Sequence, residues 1–176
     1  MAIMGLSIFY AISLSGSHTA EQVNERLSSV AEEARTLAKK MQLKVGISKI
    51  RTLSGPDCAM AQAKMSEDFD FARTACRPPG LRSSSPLGEL PEAAMFFRIS
   101  VQSDRGVNIG LARYRPEADF KMLIGAGGEE TQYDGRWFYW TFVDVFSEDE
   151  SKLLEDVLQK AKGLGFETTF KNEALG

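Results

Sequence analysis

Between Val23 and Met41, the apolar residues Val23, Leu27, Val30, Ala34, Leu37 and Met41 recur at steps of four, three, four, three and four. An α-helix turns that spacing into a single stripe, and Glu32, Glu33, Lys39 and Lys40 fall off it. A helix with one apolar side needs a surface to lie on, because packing supplies most of its stability. The segment just upstream offers one. From Gly5 to Leu14, Leu6, Ile8, Tyr10, Ile12 and Leu14 alternate with Ser7, Phe9, Ala11 and Ser13, the period of a strand. Ser15-Gly16-Ser17 ends the strand, and Thr19 with Gln22 three residues on predicts a capping box.

The rest of the chain repeats this logic. Val45 to Leu53 reads as a second strand, blurred because Lys49 and Arg51 share the register of Val45 and Ile47. Five of the prolines and the run Ser83-Ser84-Ser85 then mark a loop-rich insertion at about 54–92, with a short helical piece around Ala59 to Met65. Phe97, Ile99 and Val101 predict one arm of a hairpin, Asp104-Arg105-Gly106 its turn, and Val107, Ile109 and Leu111 the other arm. A short strand over Phe120 to Ile124, a flexible Gly125 to Glu130 and an aromatic strand over Trp137 to Val145 follow. Ser147 and Glu150 form a second capping box, opening a helix with Leu153, Leu154, Val157, Leu158 and Ala161 inward. Gly163 and Gly165 stop it, and Phe166, Thr168 and Phe170 make a closing strand. The expected fold is a single α+β domain over residues 1–176, a ferredoxin-like split βαβ arrangement. Its mainly antiparallel sheet carries two helices on one face, an extra hairpin and the long insertion.

Composition excludes several function classes. With 176 residues, 43% apolar and 26% charged, the chain can build one core. A net charge of −3 gives no positive field for nucleic acid, and no apolar run is long enough for a membrane helix. Met1 to Leu14 has neither a basic leader nor a small-residue cleavage site, so it reads as a strand and the expected location is cytoplasmic. Cys58 and Cys76 read as two free thiols, with a single bridge between them the alternative.

Motifs for chemistry are sparse. His18 is the one histidine and no paired cysteine or histidine spacing occurs, so neither metal nor cofactor is expected. A Ser- or Cys-based nucleophile would have to use His18 as its base. Gly125, Gly127 and Gly128 are followed by Glu129 and Glu130, poor company for a phosphate. Arg73, Arg77, Arg82, Arg113 and Arg115 read as solvated, with clamping of an anion the alternative.

The aromatic run is the strongest functional signal. On a strand Trp137, Tyr139 and Thr141 face one way and Phe138, Trp140 and Phe142 the other. One row enters the core under the helices, and the other is available to a partner. RNA-recognition domains stack bases on such strands but interleave small residues, which this run lacks.

The opening Met4-Gly5-Leu6-Ser7-Ile8-Phe9-Tyr10 resembles a set of uncharacterised bacterial proteins that begin Met-Gly-Leu-Thr/Ser-Ile-x-Tyr. The resemblance covers seven residues of one strand and implies a bacterial origin, with no activity attached.

The expected function is a non-enzymatic binding module that forms a homodimer or docks a protein partner through the aromatic sheet face. Trp137, Tyr139, Tyr133, Arg113 and Glu130 are its candidate binding residues, and no catalytic residue is singled out. The alternative is an enzyme for a small molecule, using neither metal nor covalent intermediate. Its site would lie between the sheet face and the insertion, with Glu129, Asp134, Tyr133 or Tyr139 moving protons.

Overall fold

The computed structural model describes residues 6–54, 91–102, 105–117, 121–123, 130–145 and 148–174. The arginines and cysteines of the insertion, the glycine cluster with Glu129, and Ser147 lie outside them. The chain is α+β. In order it forms β1 (Leu6–Leu14), α1 (Ala20–Lys40), β2 (Gly46–Ile47), β3 (Arg51–Ser54), β4 (Ala93–Gln102) and β5 (Arg105–Arg113). It continues with β6 (Lys121–Leu123), β7 (Glu130–Gln132), β8 (Trp137–Val145), α2 (Glu148–Gly163) and β9 (Glu167–Ala174). The main sheet has the order β2-β4-β5-β8-β1-β9 with β3 also on β4, while β6 and β7 form a separate ribbon. The recorded pairings are all antiparallel.

Both helices cover one face. Val23, Leu27, Val30 and Ala34 of α1 and Leu153, Leu154, Val157, Leu158 and Ala161 of α2 join the inner row of the sheet: Ile8, Tyr10, Ile12, Leu14, Phe97, Ile109, Leu111, Trp137 and Tyr139. Thr19 forms the expected capping box. Its hydroxyl accepts from the Gln22 N–H at 3.1 Å, and its own N–H donates to Gln22 Oε1 at 2.9 Å. The opposite face carries a smaller core of Ala94, Phe96, Ala112, Tyr114, Tyr133 and Phe138, with Leu53 against it. Gly110 belongs there by necessity, since a Cβ would lie 2.1 Å from Phe96 Cβ.

The blurred second strand is two strands joined by a bulge. Ile47 pairs with Ile99 and Arg51 with Phe96, four steps along one strand against three along the other. The extra residue flips the alternation, so Ile47 stays with the main core while Leu53 joins the smaller one. Lys49 and Arg51, wrongly registered for a straight strand, are thereby exposed. Ser48 repairs the interrupted ladder: its N–H donates to Arg98 O at 3.0 Å and its Oγ accepts from the Arg98 N–H at 2.9 Å. The ribbon strand β7 also departs from the sequence reading, which placed a loose connection up to Glu130.

Both helices end in the same hydrogen-bonded turn. After α2, Gly165 (φ +100°) donates to Lys162 O and Phe166 to Ala161 O, which swings Phe166 into the core. After α1, Gln42 donates to Lys39 O and Leu43 to Ala38 O, with Gln42 at φ +59°. A side chain in that left-handed region is strained where glycine is not. Gln42→Gly is therefore expected to raise stability by about 1 kcal/mol, less the extra chain entropy that glycine brings to the unfolded state. Urea denaturation checks this, and no gain would mean the turn carries no strain.

Candidate functional site

A concavity lies on the sheet face away from the helices. Ala11 and Ser13 of β1, Phe138 of β8 and Glu167 and Thr169 of β9 share that outer row. The pairings Ser13↔Phe138, Ser13↔Glu167 and Ala11↔Thr169 make them neighbours. Thr131 of β7 with Asp134 and Arg136 walls one side, and the space measures about 430 Å³. Ile12, Tyr139 and Thr168 complete the lining from the strands. Their side chains alternate to the inner row, where the Thr168 hydroxyl donates to Leu158 O at 3.4 Å.

The wall is fixed by Asp134-Gly135-Arg136. Gly135, at φ +86°, makes the turn against Pro116. Asp134 Oδ1 accepts the Arg136 N–H at 3.1 Å, and the guanidinium clasps the carboxylate through Nε at 3.0 Å and Nη2 at 2.8 Å. Arg136 Nη1 also stands 3.9 Å from Glu167 Oε2 across the cleft. The Arg136 bond holds the Asp134 carboxyl below its ordinary range, and the same bond raises the guanidinium. Two carboxylates thus share one guanidinium, leaving the cleft with an excess negative charge.

Tyr133 holds this turn to the smaller core. Its hydroxyl accepts the buried Tyr114 N–H at 2.8 Å and faces two carbonyls, Tyr114 O at 3.1 Å and Arg136 O at 3.0 Å. The ring meets Tyr114 edge-on at 5.7 Å and Phe138 at 5.6 Å. Burial, partly offset by the Tyr114 main-chain bond, pushes its pKa up to about 12. The residue is therefore a neutral clasp at physiological pH.

The candidate residues read from sequence do not converge on one site. Trp137 and Tyr139 form the inner row and are 1% and 5% exposed, so the core under the helices claims them. The Trp137 Nε1–H donates to His18 O at 3.0 Å, and Arg113 stacks over its ring at 5.3 Å with Glu92 3.7 Å from Arg113 Nε. Tyr133 sits beneath the cleft wall, and Glu130 begins β7 beside Thr131, paired with Leu123. Asp134, weighed only as a proton carrier, lines the cleft. Ser13, Thr131, Arg136, Glu167 and Thr169 were not singled out. Their one signal was polarity in the outer row, and only strand order tells that Ser13 meets Glu167. Among the described residues no helix is long and apolar enough to cross a membrane, and no group of histidine, cysteine, aspartate and glutamate could hold a metal ion. No protein-family model, no curated protein and no solved structure matches the chain.

Removing the Tyr133 hydroxyl deletes its bonds to the buried Tyr114 N–H and to the two carbonyls, so Tyr133→Phe is expected to lose about 1–3 kcal/mol in urea denaturation; a loss within error would refute the clasp. For Asp134 the folded pKa lies below the unfolded one, so its stabilisation is complete above the unfolded value of 3.8 and is lost as pH falls through the folded value. The pair is solvent-accessible, and Asp134→Asn is expected to cost less than about 1 kcal/mol at pH 7. Wild type and variant should converge once the pH has fallen below the folded value, and a gap independent of pH would rule out the carboxylate as its source.

Proposed function

We propose that the protein is a binding module whose outer-face cleft takes a small hydroxylated molecule that is neutral or carries an amine. The observation that carries this reading is the charge balance of the 430 Å³ cleft: its guanidinium is already clasped by Asp134 and approached by Glu167. Such a site repels phosphates and carboxylates. Ser13, Thr131 and Thr169 supply hydroxyls that both donate and accept, and Phe138 supplies an apolar floor. Asp134, held in its anionic form, suits holding a ligand better than shuttling protons near neutrality.

The frame that presents the cleft is a ferredoxin-like split βαβ unit in this proposal. The strand order β9-β1-β8-β5, with α1 following β1 and α2 following β8, supports it. On this reading β2, β3 and β4 extend one edge of that unit. The alternative, a homodimer or a protein partner on the aromatic face, draws less support. Phe9, Phe96 and Phe138 of the outer row are 4%, 3% and 3% exposed, and Leu164 is the exposed large apolar side chain among the described residues.

A thermal-shift panel of polyols, sugars and amino sugars set against sugar phosphates and dicarboxylates tests the proposal. One member of the first group, at a hundredfold excess over its Kd, should raise Tm by roughly 5–10 °C. Ser13→Trp, which fills the cleft, should abolish that shift. A stable dimer by light scattering with no shift from any member would replace this reading with self-association.

A further inference from the structure

A second cavity, of about 190 Å³, opens at a corner of the main core. It lies on the helix side of the sheet, at the end of the strands remote from the cleft. Leu43 and Val45 of the α1–β2 connection, Ile99 and Val107 of the β4–β5 hairpin, and Leu153 and Leu154 of α2 wall it. Its rim carries Lys44, Asp149 and Glu150.

The two helix exits explain why the core is open at this corner and filled at the other exit. At the α2 exit the turn delivers Phe166, which is 2% exposed and fills its corner. The same turn after α1 delivers Leu43, which is smaller and stays partly exposed. Collapse is resisted by the remaining walls. Ile99 and Val107 are opposed in the β4–β5 ladder, and Leu153 and Leu154 are fixed in the main core on α2. An apolar hole that cannot close forfeits contacts in proportion to its volume, and an occupant of the right shape restores them.

We propose that this corner is a second ligand site, taking a small primary amine with an aromatic or branched-alkyl body. Size sets the body, since an apolar cavity of about 150 Å³ accommodates benzene. The present volume accepts a ring with a short carbon arm. Charge sets the head. Asp149 on the rim and Glu148 on the same turn of α2 outnumber the Lys44 ammonium, even without Glu150. An ammonium head is attracted there and a carboxylate head is repelled. The site is independent of the outer-face cleft.

Titration of the full chain with 2-phenylethylamine, 2-phenylethanol and 3-phenylpropionate, followed by amide NMR, tests the proposal with one body and three heads. Saturable shifts are expected at Leu43, Val107 and Leu154. The amine should bind roughly two- to fivefold more tightly than the alcohol, as for a partly exposed ion pair, and the acid most weakly. Leu43→Trp and, from the opposite wall, Val107→Phe fill the space and should each abolish the shifts, so either one that folds suffices. Asp149→Asn should narrow the gap between amine and alcohol, whereas Ser13→Trp should leave all three titrations unchanged. Absence of saturable shifts, persistence of shifts in a folded filled variant, or an acid that binds as well as the amine would each overturn the proposal.

Discussion

The antiparallel register of β1 between β8 and β9 is the constraint on which the remainder rests. Leu14 opposes Trp137, Ile12 opposes both Tyr139 and Thr168, and Ser13 opposes both Phe138 and Glu167. Side chains alternate with a period of two, so a slip of one residue would exchange the rows. Either Ser13 would be driven under the helices, or Trp137 and Tyr139 would be carried out from beneath them. The large apolar residues of β1 prevent this: Ile8, Tyr10, Ile12 and Leu14 fit only one way beneath α1 and α2. The cleft is the polar remainder of that choice.

Tyr10 adds a second lock. Its buried hydroxyl donates to the Asn108 carbonyl of β5, reaching past β8. Burial, with Tyr139 nearby, raises its pKa well above the ordinary value and keeps it a neutral donor. The bond matters because β5 and β8 meet at Ala112↔Phe138, and a small space bounded by Phe96, Asn108, Gly110 and Tyr139 lies in the seam. The hydroxyl thus ties β1 to β5 across a seam where main-chain pairing is thin.

Much of this was legible in the residues. The stripe from Val23 to Met41, the capping box at Thr19 and the alternation of β1, β5 and β8 each follow from local chemistry, and each element formed where its pattern lies. The bulge at Ser48 left a trace too, as a register that went wrong at Lys49, but its repair by the serine hydroxyl needs a partner strand to be seen. The cleft was less legible because aromatic residues draw attention by size. Trp137 and Tyr139 are large for the same reason that they are buried. The cleft belongs instead to Ser13, Asp134, Arg136 and Glu167, ordinary residues gathered from three stretches of chain by strand order alone.

That strand order also bears on how the molecule is made. β1 is synthesised first among the described strands, yet its neighbours in the sheet are residues 137–145 and 167–174. An apolar strand with both edges unpaired must therefore wait on the ribosome until most of the chain has followed it. During that interval α1 can shield one face of β1, because it comes next in sequence, but nothing near in sequence can occupy its hydrogen-bonding edges. Slow, late-closing assembly follows from placing the earliest strand between two of the latest.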